Sequence, residues 1–412
     1  MARRHSLGLN AGGRAMQGHI HKRVHTMADG RTTTTWYVVV DKGRDRNGRR
    51  RQKWHGGFRT RKEAEATRAK IVTEINSGTY VSPSGLTLET YLVGEWLPGV
   101  QARLKPTTWD SYRRTIELHV LPRLGTTPLQ RVSATLLNAL YGELLRDGRC
   151  NGRGGLSERS VRYVHRILHK ALADAVDAQL LPQNPASRAK PPKTNKAGVD
   201  HLRFWTPDQL REFLETTRGT RLHGAWVLAA MTGMRRGEVL GLQWSDVDLD
   251  QARLSVRRTI VSIAYEMHVS TPKTGKPRVI DLDAGTVAIL REERTRRESD
   301  RDSWGDGYED QGLVFAREDG SPIHPDRLTK VFDKEVERSG LPRIRLHDLR
   351  HSHASIALQA GVPVKVISER LGHESPAFTL KQYAHVMPGM QATAACQVAD
   401  AVFGEARDHL QP

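Results

Sequence analysis

The chain has 412 residues, too many for one small fold at roughly 100–200 residues per domain, and its 38% hydrophobic and 27% charged content excludes a disordered polyelectrolyte. Sixty-four Lys and Arg against 46 Asp and Glu leave a formal charge of +18, which points to a polyanion as partner, nucleic acid before an anionic membrane. No apolar run approaches the ~20 residues that a membrane helix needs, and two cysteines, Cys150 and Cys396, cannot build a disulfide framework, so a soluble protein of a reducing cytoplasm is expected.

The charge gathers at the N-terminus, where residues 1–84 hold 18 Lys and Arg against six Asp and Glu. No apolar core of signal-peptide length follows Arg3, Arg4 and Arg14, so nothing there directs secretion. His19 to His25, Trp36 to Asp41 and Arg49 to His55 read as three short strands, with Asp45-Arg46-Asn47-Gly48 as a hairpin turn. Arg61 to Asn76 reads as a helix with an apolar stripe of Ala64, Ala69, Val72 and Ile75, closed by Gly78. A small basic sheet can enter the major groove, and Arg49, Arg50, Arg51 and Lys53 are the candidate contacts to phosphates or base edges. A merely solvated hairpin is the alternative.

Tyr80 to Gly85 reads as a linker, and Thr87 opens a helical segment with Leu88, Tyr91, Leu92 and Trp96 at helical spacing. Lys105 to His119, Ser133 to Leu145 and Ser157 to Leu180 continue that periodicity, which predicts an all-helical domain. Pro182 to Gly198 holds four Pro, three Lys and one Arg and reads as a second linker. Thr206-Pro207-Asp208-Gln209 then combines an N-cap hydroxyl, Pro at the first helical position and Gln at N3.

The chemistry concentrates after that point. Leu228 to Leu249 predicts a helix ending at Thr232-Gly233 and a second helix begun by Arg235 and carrying Glu238. A guanidinium beside unpaired helix N–H groups suits an anion, although a surface Arg-Glu pair would look the same. Leu254 to Ser262, Tyr265 to Val269 and Pro277 to Leu282 read as strands, with Lys273 in a turn from which a lysine can serve as proton donor. Leu346-His347-Asp348-Leu349-Arg350-His351 puts His347 and Arg350 on one face of a helix that ends at Gly361, a second candidate phosphate clamp. His347, His351 and His353 also offer a spacing that a metal would accept, with no carboxylate cluster to support it. Pro363 to Leu371 reads as a helix closed by Gly372, His373 follows, and Ser375-Pro376 opens a last helix on which Leu380 and Tyr383 share a face.

Taken in order, TGMRRGE, a turn lysine, HDLRH, LGH and a tyrosine ten residues beyond that histidine resemble the tyrosine recombinase family, in particular phage and integrative-element integrases. The resemblance implies a multidomain α+β protein. A basic three-stranded sheet plus helix (residues 1–84) would bind arm-type DNA, and an all-helical core-binding domain (85–181) and a linker (182–201) would follow. A mainly helical catalytic domain with a small antiparallel sheet (202–412) would complete the chain. It places Arg235, Lys273, His347, Arg350, His373 and Tyr383 at the family's catalytic positions and Glu238 at its acidic supporting position.

By the same resemblance, Tyr383 attacks a scissile phosphodiester and leaves a 3′-phosphotyrosyl link, with no metal, ATP or other cofactor. Arg235 and Arg350 would hold the phosphate, His347 would be the base, Lys273 would protonate the leaving 5′-oxygen, and His373 would hydrogen-bond the phosphate. The implied partners are double-stranded DNA at core and arm attachment sites, three further protomers of a homotetramer, and possible accessory proteins: a DNA-bending host factor and an excisionase. After Tyr383, Ala395, Val398, Ala401 and Val402 form an apolar stripe expected to pack on a neighbouring protomer. A non-catalytic DNA-binding regulator, a metal-dependent phosphodiesterase and a relaxing topoisomerase are the rival readings.

Overall fold

A computed structural model describes residues 18–27, 31–44, 50–77, 79–193, 203–273, 275–383, 395 and 398–402. The chain divides into two compact units, residues 1–194 and 195–412. No helix among the described residues is long and apolar enough to cross a membrane.

The first unit opens with an antiparallel sheet in the order β1 (His19–Thr26), β2 (Thr32–Arg44) and β3 (Arg50–Phe58). Its turn at 45–48 lies outside the described residues. Helix α1 (Arg61–Asn76) starts where the Thr60 hydroxyl accepts the Glu63 N–H. The helix covers one face of the sheet, where Val38 and Val40 meet Ala64 and Ile71. The apolar stripe is in part the expected one: Ala64 and Ile75 pack on the sheet, but Ala69 is exposed, Val72 is half-buried, and Ile71, not expected, makes the central contact. The helix ends on Ser77, whose N–H bonds the carbonyls of Thr73 and Ile75, while Gly78 lies outside the described residues.

The helical part of this unit begins with π-type turns at Thr90–Trp96 that run into α2 (Leu97–Gln101). Next come α3 (Pro106–Thr115), π-type turns at Ile116–Val120, α4 (Leu121–Leu124), α5 (Ala134–Asp147) and α6 (Glu158–Asp177). Ser133 and Ser157 cap α5 and α6, each accepting the N–H three residues on. Leu88, Leu92, Ile116, Leu137 and Leu168 fill the core. Two buried polar anchors cross it: Tyr91 donates to the Ala171 carbonyl at 2.7 Å, and Trp96 Nε1 donates to Asp174 at 2.7 Å. The stretch after Pro182 is not free: Ala186 and Ala189 are buried in the same core, and the Lys190 N–H bonds the Asn138 side chain.

The second unit begins with α7 (Pro207–Thr216), whose Thr206 and Gln209 form the reciprocal capping box. Helix α8 (His223–Thr232) is buried on nearly every side, which its run of Ala, Trp, Val and Leu permits, and α9 (Arg236–Leu240) follows directly. Trp205, Phe213, Trp226 and Phe332 cluster at the centre of the core. Strands β4 (Val247–Asp248), β5 (Arg253–Val256) and β8 (Arg278–Asp281) form one antiparallel sheet, and β6 (Thr259–Ile263) with β7 (Glu266–Ser270) forms a separate hairpin. The expected single strand from Leu254 to Ser262 is thus broken at Arg257-Arg258, where both guanidiniums approach the buried Asp246 carboxylate, at 3.6 and 3.4 Å.

Helices α10 (Ala284–Trp304) and α11 (Pro325–Ser339) precede three shorter ones, α12 (Asp348–Gln359), α13 (Val364–Leu371) and α14 (Pro376–Tyr383). On α14 the buried face is Thr379 and Tyr383; Leu380, expected beside the tyrosine, is exposed. In the described part of the C-terminal segment, Ala395, Val398, Ala401 and Val402 are all exposed.

Candidate active site

The site forms where three helix ends converge. Helix α8 stops at Gly233, left-handed at φ 64°, and its carbonyl accepts a 2.7 Å hydrogen bond from Arg350 Nη1. A side chain at 233 would be strained by that backbone and would also collide with Leu371, whose Cδ2 would lie 2.4 Å from an added Cβ. Helix α13 stops in the same way at Gly372, φ 61°, and the Gly372 carbonyl accepts from Arg235 Nη2 at 3.2 Å.

Arg235 caps α9 and is locked there by Glu238, which accepts from its main-chain N–H at 3.0 Å and from Nη1 at 2.8 Å. A second cation, Arg278 on β8, also bonds Glu238, and its Nε donates to the Arg370 carbonyl. Burial alone would raise the Glu238 pKa, but the hydrogen bonds and charge of Arg278, and then those of Arg235, outweigh it and hold the carboxyl near pH 2. Nothing in the sequence singled out Arg278: one arginine in a four-residue strand carries no motif.

Arg350 is buried at 3% exposure, and burial first, then the charge of Arg235, pushes its guanidinium down to about 9, still charged at neutral pH. Its Nη2 is buried and has no hydrogen-bond partner. A guanidinium held at one nitrogen and unsatisfied at another is a donor prepared for an oxyanion.

Tyr383 is fully buried, and burial pushes its phenol up to about 12, with Arg350 pulling the other way. Its hydroxyl lies 2.7 Å from Nδ1 of His351. The sequence reading put the base at His347; the imidazole that bonds the phenol is His351, and His347 packs edge-on against it with ring centres 5.2 Å apart. Burial, then His351 and Arg350, hold His347 down to about 4.

His373 Nδ1 pairs with the Thr379 hydroxyl at 2.7 Å, which ties the end of α13 to α14. Burial and then the charges of Arg350 and Arg235 lower His373 to about 3. His353 points away, its Nδ1 2.9 Å from the Ala230 carbonyl. Among the described residues no group of three or more His, Cys, Asp or Glu is arranged to hold a metal.

Lys273 lies in the exposed turn between β7 and β8, closed by a Gly275 N–H to Pro272 carbonyl bond of 2.8 Å. The structure therefore gathers Arg235, Glu238, His347, Arg350, His373 and Tyr383, with Lys273 on a separate turn. At the N-terminal sheet, Arg49 lies outside the described residues and Arg50 and Arg51 lie on β3. Lys53 pairs with Val40 and so stands on the α1 side, whereas the open face carries Trp54 with its ring 5.0 Å from His21 and 5.9 Å from Tyr37. Those three aromatic residues were not among the sequence candidates.

Three family models match the chain in order: the arm DNA-binding domain over residues 28–75, the phage integrase N-terminal SAM-like domain over 87–144, and the phage integrase family over 203–389. A XerC-like tyrosine recombinase of Caldanaerobacter subterraneus subsp. tengcongensis is 28% identical over 380 residues, 87% of this chain and 94% of its own length. The ICEBs1 integrase of Bacillus subtilis is 26% identical over 83% of this chain and 90% of its own. In fold, the chain is similar to the Tn1549 transposon integrase in complex with transposon right end DNA, with a TM-score of 0.63 at 19% identity over 76% of this chain and all of that one. It is also similar to lambda integrase solved as a tetramer bound to a Holliday junction, with a TM-score of 0.53 at 19% identity over 86% of this chain and 96% of that one. With all three domain types matched in sequence order and its relatives covered nearly end to end, the chain belongs to the phage integrase family and is a site-specific tyrosine recombinase.

Proposed function

We propose that this recombinase integrates or excises a mobile element, with Tyr383 as nucleophile and Arg235, Lys273, His347, Arg350 and His373 as its catalytic partners. The observation that carries this reading is the unpaired Nη2 of Arg350 in a buried, cationic site that also holds the phenol of Tyr383. Attack by that phenol on a scissile phosphodiester forms the Tyr–O–P bond and breaks the bond to the 5′-oxygen. Arg350 and Arg235 would take the charge that grows on the nonbridging oxygens, a contribution of about 3 kcal/mol for each well-placed donor. Glu238 acts through Arg235, holding it in place. Lys273 reaches in from its turn to protonate the leaving oxygen, and His347 and His373 hydrogen-bond the phosphate.

The chain binds DNA. We assign phosphate contacts to Arg49, Arg50 and Arg51, and base-edge contacts to the open face that bears His21, Tyr37 and Trp54, with Lys53 left out because it stands on the α1 side. Four protomers would assemble on core and arm sites, with the exposed apolar stripe of Val398 and Val402 covered by a neighbouring copy. The deciding experiment is Tyr383→Phe: a nicked core-site duplex should still be bound with unchanged affinity, while the covalent protein–DNA complex disappears from denaturing gels. A covalent complex in that variant would end the proposal.

A further inference from the structure

His351 belongs to none of the positions assigned above, yet it makes the hydrogen bond to the reacting atom. Its Nδ1 is 2.7 Å from the Tyr383 hydroxyl, inside the 2.6–3.2 Å reach at which a base takes a proton from a nucleophile. On the assignment of Tyr383 as nucleophile, we propose that His351 is a further catalytic residue, the one that accepts the phenolic proton during cleavage and returns it during rejoining.

The groups that face His351 pull its protonation both ways, and burial decides. Asp348, Arg350 and Arg345 act on its ring through their charges, His347 packs edge-on from the same helix, and Tyr383 approaches from α14. His373, beyond α13, feels the charge of His351 in turn. Burial outweighs the attraction of Asp348 and lowers the imidazole from its ordinary value, so it is neutral at pH 7. The phenol is raised and keeps its proton. With both groups neutral, the tautomer that carries its hydrogen on Nε2 leaves Nδ1 to accept from the hydroxyl, which is the arrangement the proposal requires.

Tyr383 must leave its buried position to meet phosphorus. Arg350, whose free Nη2 marks the place for a phosphate oxygen, is the residue next to His351 on α12. The phenol is in reach of both groups, hydrogen-bonded to His351 and acted on by the charge of Arg350. In the step, the Tyr O–H bond breaks as N–H forms at Nδ1, the phenolic oxygen bonds phosphorus, and the displaced 5′-oxygen takes its proton from a separate donor. Rejoining reverses each transfer.

The test is His351→Gln, which keeps a hydrogen-bonding side chain but cannot take a proton at neutral pH. Covalent-complex formation on a nicked core-site duplex should fall roughly 100-fold at pH 7, with binding unchanged in a gel-shift assay. The loss should shrink by about tenfold for each pH unit raised, as hydroxide replaces the missing base. An unchanged or faster rate would mean that His351 merely latches the tyrosine, and an equal loss at every pH would mean that it merely packs; either overturns the proposal. A parallel Tyr383→Phe sample separates the two levels, because an adduct in that variant would refute the nucleophile itself. If the glutamine variant does not fold, a neutron structure of the wild-type chain decides: a deuteron on Nε2 with Nδ1 bare supports the proposal and one on Nδ1 overturns it.

Discussion

Glu238 and Arg278 meet through two hydrogen bonds, Nη1 to Oε1 at 3.1 Å and Nη2 to Oε2 at 2.7 Å, with both side chains almost closed to solvent. The same carboxylate holds Arg235, so one buried negative charge serves two cations. Glu238→Gln would leave both cations without their counter-charge and should destabilise the chain by about 3 kcal/mol, read from urea unfolding. Because the folded carboxyl lies below its ordinary value of 4.5, its stabilising effect is complete above that pH. It is lost as the pH falls toward about 2, and the acid limb should be flatter in the variant.

His347 and His353 near 4 and His373 near 3 carry the opposite chemistry to the same outcome. All three are held below the ordinary value of 6.5, first by burial, so the unfolded chain takes up protons before the folded one does. Stability should be full above about pH 6.5 and fall continuously toward pH 4. Denaturation midpoints at pH 7.5, 6 and 5 check this, and a flat profile would contradict it.

Arg350→Lys keeps the charge but loses the fork that bonds Gly233 at one nitrogen and leaves the other free. Cleavage should fall about 100-fold or more, while affinity for core-site DNA changes little, as measured by covalent trapping beside a gel shift.

Gly233→Ala tests the helix end itself. The left-handed backbone and the 2.4 and 2.9 Å approaches to Leu371 and His353 leave no room for a methyl group. A stability loss of about 2 kcal/mol is expected, accompanied by slower cleavage because the Arg350 anchor shifts.

Removing residues 1–84 should weaken binding to arm-site DNA and flatten the slope of log affinity against log salt, since fewer phosphates are neutralised. Trp54→Ala should reduce discrimination between arm and random duplexes while leaving that slope unchanged.

Much of the catalytic unit is legible because its signals are local. Thr206 with Gln209 caps α7, Gly233 and Gly372 end α8 and α13, and Arg235 begins α9 as its sequence neighbours imply. What escaped sequence reading depends on distant partners. Arg257 and Arg258 break a run that looks like one strand because Asp246 draws them down, and Arg278 joins the site only because β8 lies beside α13. The face of α1 was read correctly at Ala64 and Ile75 and missed at Ile71, because Ala69, Ile71 and Val72 are all apolar and only the sheet beneath the helix chooses among them. His351 looked like one member of a metal spacing; its phenol partner is 32 positions away.

Both guanidiniums of the proposed clamp are registered against main-chain oxygens, Arg350 on Gly233 and Arg235 on Gly372. A peptide carbonyl cannot be exchanged by a point substitution, so the spacing between the two anion-holding prongs is set by where two helices stop. Divergence in the surrounding side chains can alter which duplex is admitted while the cutting geometry stays in calibration. Retargeting such a recombinase is accordingly work for its DNA-facing surfaces, and the helix-terminal glycines are the positions to leave alone.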